Sequence, residues 1–233
     1  MQDKLLHYLS KYITPERLNL FNNIIESRTK HITVVLEDIY QSQNASAVLR
    51  SCDCFGIQDV HIIENRNEFR VDSEVSLGSS KWLTLKKYNG EANNSLSALK
   101  HLKKTGYRIV ATTPHIKVQR LTDFDVTTKK TALVFGSELP GISDVIMNEA
   151  DEFLQIPMFG FTESFNISVS AAIVLHHLTF KLHNSGIDWH LTEEEKEDIK
   201  IQWIRNTIKR SDLIEQRFWE EKGKQKNSTC GLQ

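Results

Sequence analysis

Long apolar runs are missing from this sequence. Nowhere do eighteen apolar residues follow one another. The first residues, MQDKLLHYLS, lack the basic stretch and the following apolar stretch that are typical of a signal peptide. We therefore expect neither a membrane-spanning helix nor a secretory signal, and we expect a cytoplasmic protein.

Cysteine is scarce, and several well-known catalytic motifs are absent. The chain has three cysteines, and Cys52 and Cys54 would point in different directions on a helix. Neither a disulfide framework nor a zinc site follows from this pattern. There is also no G-x-G-x-x-G after a strand, no Walker P-loop, no H-E-x-x-H and no G-x-S-x-G. These absences argue against dinucleotide oxidoreductases, NTPases, zinc proteases and α/β-hydrolases.

A strong net charge is lacking too, but the charges are unevenly distributed. The 233 residues are 39% hydrophobic and 25% charged, with a formal net charge of −1. Such values are typical of one globular domain with additional elements. Basic residues concentrate near both ends of the chain, at Lys11, Arg17, Arg28, Lys30, Lys196, Lys200, Arg205, Lys209, Arg210 and Arg217. These clusters suit a polyanionic partner, and they equally suit solvated helix faces.

Short β-branched segments alternate with amphipathic helical patterns along the middle of the chain. The segments predicted as strands are 32–36, 59–63, 107–111, 131–135 and 152–156. Apolar residues between them recur at spacings of three and four, as expected for helices. This alternation predicts an α/β fold with a parallel sheet, in which ligands bind at the carboxyl ends of the strands.

Both ends of the chain carry helical features outside that alternation. Thr14 followed by Pro15 predicts the start of a helix that runs to about residue 27. Thr192 and Glu195 form a capping box that opens a long charged helix, and a second helical stretch covers about 212–221. We therefore expect three parts: an N-terminal helical extension, the α/β domain and a C-terminal helical tail, at 1–30, 31–185 and 186–233.

Three loops that follow predicted strands contain polar residues that a hydrophobic core does not need. In the first loop, Asn44 precedes an apolar helix and Arg50 projects about 100° away from its apolar face. A purely structural interpretation is also open here, because Asn44 could cap the helix and Arg50 could pair with Asp53.

The second and third loops follow the strands predicted at 131–135 and 152–156. The second has two glycines and a proline around Glu138, which allows the backbone to approach a ligand closely. It could equally be an ordinary strand-to-helix turn capped by Ser143. In the third loop a helix cap at Asn166 would account for one residue of a larger polar cluster.

Taken together and in this order, the three loops resemble the three motifs of the SpoU family of RNA 2′-O-ribose methyltransferases, within the SPOUT superfamily. The terminal segments TPERLNLFNNIIESR and WIRNTIKRSDLIEQRF look like the extensions of the family's TrmH branch. The resemblance spans roughly residues 14–220, and Phe165 departs from it because the family often has leucine there. Its motif residues are Asn44 and Arg50, then Gly136, Ser137 and Glu138, then Ile156, Pro157, Met158, Ser164 and Asn166.

The resemblance implies a fold and an activity. The fold is a parallel-sheet α/β fold with a C-terminal trefoil knot, which is a rare exception to ordinary chain topology. The activity is methyl transfer from S-adenosylmethionine, without a metal, to the ribose 2′-hydroxyl of a guanosine in the tRNA D-loop, at position 18. The family's members are homodimers whose active sites combine motifs from both chains.

The resemblance also implies roles for individual residues. Arg50 acts either as the base or as a phosphate clamp that orients the hydroxyl, since a guanidinium is an unusual base. The other site residues expected in catalysis are Asn44, Glu138, Ser164 and Asn166. The residues expected to hold the methyl donor are Thr112, Gly136, Ile156, Met158 and Phe165. The tail residues expected to bind RNA are Lys200, Arg205, Lys209 and Arg210.

Two alternatives to this function stay open from the sequence. The substrate could be ribosomal RNA or another position of tRNA, because no single residue specifies the nucleotide. The chain could also be a knotted RNA-binding protein without catalytic activity, although all the motif residues are present.

Overall fold

The computed structural model describes residues 2–113, 119–138 and 140–229, with the side chains of 223–229 excepted. Within these ranges the strands are β1 (Ile32–Glu37), β2 (Asp59–Ile63), β3 (Thr84–Tyr88), β4 (Arg108–Thr112), β5 (Gln119–Arg120), β6 (Thr131–Phe135) and β7 (Glu152–Gln155). The α-helices are α1 (Gln2–Ser10), α2 (Pro15–Ile25), α3 (Ser42–Cys54), α4 (Ser73–Ser76), α5 (Asn94–Lys104), α6 (Asp144–Glu149), α7 (Ile167–His183), α8 (Glu193–Thr207) and α9 (Ser211–Thr229).

The strands form one sheet in the order β3-β2-β1-β6-β4-β7-β5, and each pair of neighbours is parallel. This confirms the predicted α/β class with a parallel sheet. All five predicted strands are present within a residue of their expected limits. β3 and β5 were not predicted: β3 is a half-exposed edge strand with two lysines, and β5 has only two residues.

Helices cover both faces of the sheet and bury an apolar core on each side. On one face, side chains of α3 and α7 pack with inward-facing residues of β1, β2 and β6. On the other face, α5 and α6 pack against Val35, Ala111 and Val134. The central strands β1 and β6 are buried on both faces, as expected for parallel strands between helical layers.

The two ends of the chain form a compact unit of their own. Residues 1–28 and 191–233 make up this terminal unit, and residues 29–190 make up the unit that contains the sheet. In the terminal unit α8 packs against α1 and α2, and α9 packs against α1. Trp203 is buried beside Phe21, and Phe218 contacts Tyr8. The sequence predicted three parts with boundaries after residues 30 and 185. That these parts are separate domains stays a prediction.

Several local predictions about helices are confirmed. Thr14 caps α2 by accepting a hydrogen bond from the Arg17 amide, with Pro15 at the first helical position. The capping box of Thr192 and Glu195 opens α8. Cys52 is buried on α3 and Cys54, two residues further on, is exposed, so the two side chains point in different directions as expected.

Other helix limits differ from the prediction. α3 begins at Ser42 with Gln41 as its N-cap, so Asn44 lies inside the first turn and is not the cap. α9 continues to Thr229, beyond the expected end near residue 221. α8 ends at Thr207, and the extended backbone of Ile208 separates Arg205 from Lys209. These two cations therefore do not share a helix face, although they are four residues apart.

The trefoil knot stays a prediction. Across the described part of the chain, no helix is long and apolar enough to cross a membrane.

Candidate active site

A cavity opens at the carboxyl edge of the sheet, where the loops after β1, β4, β6 and β7 meet. Its volume is about 540 Å³. Parallel α/β sheets bind ligands at this edge. The cavity is lined by Gln41, Asn44, Thr112, Thr113, Phe135, Gly136, Ser137, Glu138, Pro140, Gly141, Ile142, Met147, Leu154, Ile156, Met158, Ser164, Phe165, Asn166, Ile167 and Ser170.

The loop after β6 closes tightly on itself beside the cavity. Ser137 and Gly141 exchange two backbone hydrogen bonds of 2.9 and 3.0 Å. A Cβ atom at Gly136 would lie 2.3 Å from the carbonyl carbon of Gly141, so any side chain there would force the backbone of the loop to shift. Gly141 itself has a φ of 69°, in the left-handed region that favours glycine. Leu139 of this loop lies outside the described residues.

Asn44, Glu138 and Asn166 form one hydrogen-bonded network across three loops. The Asn44 side-chain amide donates to the Glu138 carboxylate at 2.8 Å, and its oxygen accepts from the Asn166 amide at 3.0 Å. The Glu138 carboxylate also accepts longer bonds from the backbone amides of Tyr40 and Gln41. In the sequence, Asn44 is 94 positions from Glu138 and 122 positions from Asn166.

Hydrogen bonds from this network lower the pKa of Glu138. Burial raises the pKa of Glu138, but the hydrogen bonds from Asn44 and from three backbone amides lower it by more. The net pKa therefore lies below the ordinary value of a glutamate. At neutral pH, Glu138 is a carboxylate that accepts hydrogen bonds and has no proton to donate.

The third loop leads into α7 through Asn166. The Asn166 side chain caps this helix by accepting a bond from the Ser168 amide at 2.8 Å. The structural interpretation of Asn166 as a cap and its place in the network both hold, because its carboxamide oxygen caps the helix while its amide group donates to Asn44. Ser164 and Phe165 precede it and line the cavity.

The five residues expected to hold the donor all line the cavity, as do four of the five expected catalytic residues. Arg50 is the exception, because it is exposed on α3 and does not line the cavity of its own chain. It lies six residues after Asn44, which is about 240° around the helix. The backbone therefore directs Asn44 and Arg50 to different sides of α3.

The four tail residues expected to bind RNA belong to the terminal unit. Lys209 and Arg210 are exposed, and Arg210 has a φ of 56°. Arg205 forms a two-contact salt bridge with Glu215, at 2.5 and 3.0 Å. The Nζ atom of Lys200 lies 3.4 Å from the side-chain oxygen of Asn22.

Sequence reasoning did not identify several residues at this edge of the sheet. Gln41, Thr113 and Met147 line the cavity without belonging to a quoted motif. Phe159 and Phe161 are 98% and 109% exposed in the third loop, although they are large and apolar. Within the described ranges, there is no group of three or more His, Cys, Asp or Glu residues that could hold a metal ion.

The parallel sheet and its three loops define a class of RNA methyltransferases. The chain belongs to the SpoU rRNA Methylase family, whose model matches residues 31–176. This confirms the resemblance that the motifs indicated.

Individual relatives extend the similarity over nearly the whole chain. A tRNA (guanosine(18)-2′-O)-methyltransferase from Borreliella burgdorferi is 42% identical over 212 residues, which cover 91% of this chain and 95% of that protein. A crystal structure of a TrmH/SpoU tRNA modifying enzyme from A. aeolicus has a TM-score of 0.74 at 29% identity, covering 84% of this chain and 98% of that one. The SpoU methyltransferase AviRb from Streptomyces viridochromogenes, in complex with the cofactor AdoMet, has a TM-score of 0.57 at 21% identity, covering 70% of this chain and 62% of that one. The last likeness concerns the fold alone.

Proposed function

We propose that this protein transfers a methyl group from S-adenosylmethionine to the ribose 2′-hydroxyl of guanosine 18 in tRNA. The observation that carries the proposal is the network of Asn44, Glu138 and Asn166, which joins all three motif loops at one cavity. The substrate follows from the relative of 42% identity, which is named for this reaction and matches 91% of the chain. Because tRNA is the substrate, the enzyme works in the cytoplasm.

The cavity suits a nucleoside methyl donor in size and lining. Its volume of about 540 Å³ falls within the range of roughly 300–1,000 Å³ that is typical of small-molecule sites. Ile156, Met158 and Phe165 supply apolar contact area, while Gly136 lets the backbone come close to a ligand. Thr112 is fixed by the bond from its hydroxyl to the carbonyl of Val134. The bound donor supplies an electrophilic methyl group on a sulfonium, and these residues hold and orient it.

Arg50 works on the same reaction from a second copy of the chain. It is exposed on α3 and directed away from the cavity of its own chain, and no lysine or arginine is among the described residues that line this cavity. We therefore assign the cation near the hydroxyl to the partner. Exposed apolar residues in the third loop and along α7 suit such a homodimer. They are Phe159, Phe161, Phe165, Val169 and Phe180. Val169 and Phe180 are eleven residues apart, which places them within about 20° on one face of α7.

Within such a composite site, each side chain has its own role in the reaction. Positioning the ribose hydroxyl in line with the methyl group accounts for a large part of the acceleration, up to about 7–11 kcal/mol in favourable intramolecular cases. Arg50 either accepts the hydroxyl proton or clamps a neighbouring phosphate. Glu138, held as a carboxylate, fixes the Asn44 amide, and Asn44 in turn orients Asn166. Ser164 lies beside them in the third loop.

The terminal unit supplies the docking surface for the rest of the tRNA. Lys209 and Arg210 are exposed there and available to phosphates, whereas Arg205 must first leave Glu215. Lys200 completes the set that we assign to RNA binding.

A complementation experiment tests whether the active site is shared between chains. Arg50→Ala and Asn166→Ala homodimers are each expected to be inactive. After mixing and subunit exchange, each heterodimer has one site built from two intact contributions, so roughly a quarter of wild-type activity returns. If the mixture stays inactive although heterodimers form, Arg50 and Asn166 act within one chain.

The reaction itself is tested on RNA from a strain in which the gene is deleted. Mass mapping of nucleosides should show 2′-O-methylguanosine missing at position 18 of tRNA and restored by the gene. Loss of a methyl group from ribosomal RNA or from another tRNA position would identify a different substrate.

Purified protein should methylate tRNA in the presence of a chelator, and activity that returns only with added metal would contradict the donor chemistry.

A further inference from the structure

Glu37 is a buried acidic residue that belongs to none of the quoted motifs. It ends β1 and is 2% exposed. Its carboxylate accepts three hydrogen bonds: 2.5 Å from the Ser95 hydroxyl, 2.7 Å from the Ser143 hydroxyl and 2.9 Å from the Ser143 amide. One carboxylate thus joins the end of the central strand β1 to the first turn of α5 and to the start of α6.

Ser143 connects this carboxylate to the loop after β6. It is the N-cap of α6 and follows Gly141 and Ile142, which line the cavity. The hydroxyl of Ser143 donates to Glu37 and accepts a bond from the Ile146 amide, so its orientation is fixed.

The loop transmits the position of Ser143 to the cavity because its two ends are packed together. Gly136 and Gly141 are in direct backbone contact, and Ser137 and Gly141 exchange two hydrogen bonds. A shift of the C-terminal end of this loop, at Gly141, therefore moves its N-terminal end, at Gly136 and Ser137. Gly136 and Glu138 belong to the N-terminal part of the loop, and both line the cavity.

We propose that Glu37 is a positioning residue for the methyl-donor cavity, acting through Ser143 on the loop that begins at Gly136. This inference rests on the proposed function, since it assumes that the cavity holds the donor. Neither Glu37 nor Ser143 lines the cavity, so Glu37 acts on the donor only through the backbone. Burying a carboxylate is costly, and an apolar residue could fill the same space. The carboxylate, unlike an apolar residue, fixes the directions of the backbone amide and the hydroxyl group of Ser143.

The α5 side of the same carboxylate provides a matched control. The Ser95 hydroxyl also donates to Glu37, and it accepts a bond from the Asn65 side-chain amide. Ser95→Ala and Ser143→Ala each remove one hydroxyl bond to Glu37. Only Ser143 leads into the cavity loop, so a purely structural role of Glu37 would make the two variants equivalent for donor binding.

The experiment measures the dissociation constant of S-adenosylmethionine by calorimetry, together with the melting temperature, for full-length variants. We expect Ser143→Ala and Glu37→Gln to weaken donor binding about tenfold, as for the loss of one strong hydrogen bond. Ser95→Ala should lower the melting temperature but change donor affinity by less than about twofold. The double variant Glu37→Gln/Ser143→Ala should bind no more weakly than the weaker single variant, because both act through one contact.

Each result supports or overturns the inference. Wild-type affinity in a folded Ser143→Ala or Glu37→Gln variant overturns it, and so does an equal loss of affinity in Ser95→Ala and Ser143→Ala. If Glu37→Gln does not fold, the comparison of the two serine variants decides alone. If the wild-type protein itself does not bind the donor, the proposed function fails and this inference falls with it. Donor binding by the wild type together with unchanged variants refutes only the role of Glu37.

Discussion

Asn44 shows how much a single carboxamide can do at a buried site. Its amide group donates to Glu138 and to the side chain of Gln41, and its oxygen accepts from Asn166. Neither aspartate nor leucine could replace it, because a carboxylate cannot donate and an aliphatic side chain can do neither. The amide is therefore suited to link a carboxylate with a second amide, and this linkage holds the first turn of α3 against the other two loops.

Arg50 is the residue whose placement most strongly constrains the mechanism. We expect Arg50→Ala to lower kcat by about 10²-fold or more, the scale of a lost proton-transfer or positioning group. Donor affinity should stay unchanged, because Arg50 does not line the cavity of its own chain and we assign it to the ribose hydroxyl or a phosphate of the RNA, not to the donor. Arg50→Lys should recover little activity, since lysine lacks the planar guanidinium fork. Steady-state kinetics and calorimetry check this, and a collapse of donor affinity in Arg50→Ala would refute the assigned role.

His61 makes stability depend on pH at a position far from the chemistry. Its ring is buried in β2, and burial, followed by the charges of Lys86 and His101, lowers the pKa of His61 from 6.5 to about 3. Between these two values the unfolded chain binds a proton that the folded chain does not bind, so folding weakens as pH falls through this window. Above pH 6.5 the effect disappears.

We expect His61 to account for a loss of about 2 kcal/mol of unfolding free energy between pH 7 and pH 5. Urea titrations of wild type and His61→Gln at both pH values measure it. The variant should be less stable at pH 7, because its contact with the Tyr88 hydroxyl is altered, but it should lose less stability on acidification. His7→Gln, at an exposed position of α1, serves as the control and should follow the wild type. Equal pH dependence in His61→Gln and wild type would contradict the assignment.

At the scale of elements, the loop after β6 is closed by backbone contacts between its two ends. Its shape depends on Gly136, where any side chain would collide with backbone atoms of Gly141 and Ile142 that cannot rotate away. The same loop carries Glu138 and leads to the Ser143 cap of α6. The backbone contact between Gly136 and Gly141 thus affects both the donor cavity and the network of Asn44, Glu138 and Asn166.

We expect Gly136→Ala to weaken donor binding at least tenfold and to lower the free energy of unfolding by about 1–3 kcal/mol, the usual cost of forced overpacking. Gly90→Ala is the matched control, because an added Cβ there meets nothing within 4 Å. Calorimetry and thermal melting of the two variants measure both effects. A folded Gly136→Ala protein with wild-type donor affinity would show that the loop can open without cost.

At the scale of the whole molecule, a nearly neutral chain must bind a polyanion through local clusters of charge. We expect reversal of Lys200, Arg205, Lys209 and Arg210 to glutamate to weaken tRNA binding and to flatten its salt dependence, by about 0.7–0.9 in log-log slope for each lost phosphate contact. Arg205 should contribute least, since Glu215 already holds it.

The control for this experiment reverses four exposed lysines of the other unit: Lys100, Lys104, Lys129 and Lys130. Filter binding at several salt concentrations compares the two sets, and calorimetry checks that donor affinity is unchanged in both. If the tail set leaves the affinity for tRNA and the salt slope unaltered, the tail serves packing. Its buried residues Trp203 and Phe218 already serve that purpose within the terminal unit.

Much of the fold was predictable because its signals are local. The segments predicted as strands form β1, β2, β4, β6 and β7, and all of these except β7 are almost wholly buried. The caps at Thr14, Thr192 and Asn166 lie where the residue types indicated. The edge strands were missed because a half-exposed segment with lysines, such as Thr84–Tyr88, gains its partner only through the neighbouring strand. The interpretation of Asn44 as a helix cap, which the sequence left open, is wrong, because α3 begins at Ser42 and the Asn44 side chain bonds Glu138.

The sequence by itself determined the parallel α/β class, the family and the identity of the motif residues, because these depend on residue type and short-range spacing. Only the tertiary structure decided which of them meet. Asn44, Glu138 and Asn166 converge because β1, β6 and β7 end at one edge of the sheet, and the strand order is set by packing over the whole chain. The same packing buries Glu37 between two helix starts. Contacts between residues a hundred positions apart leave no local pattern, so no reading of neighbouring residues could have supplied them.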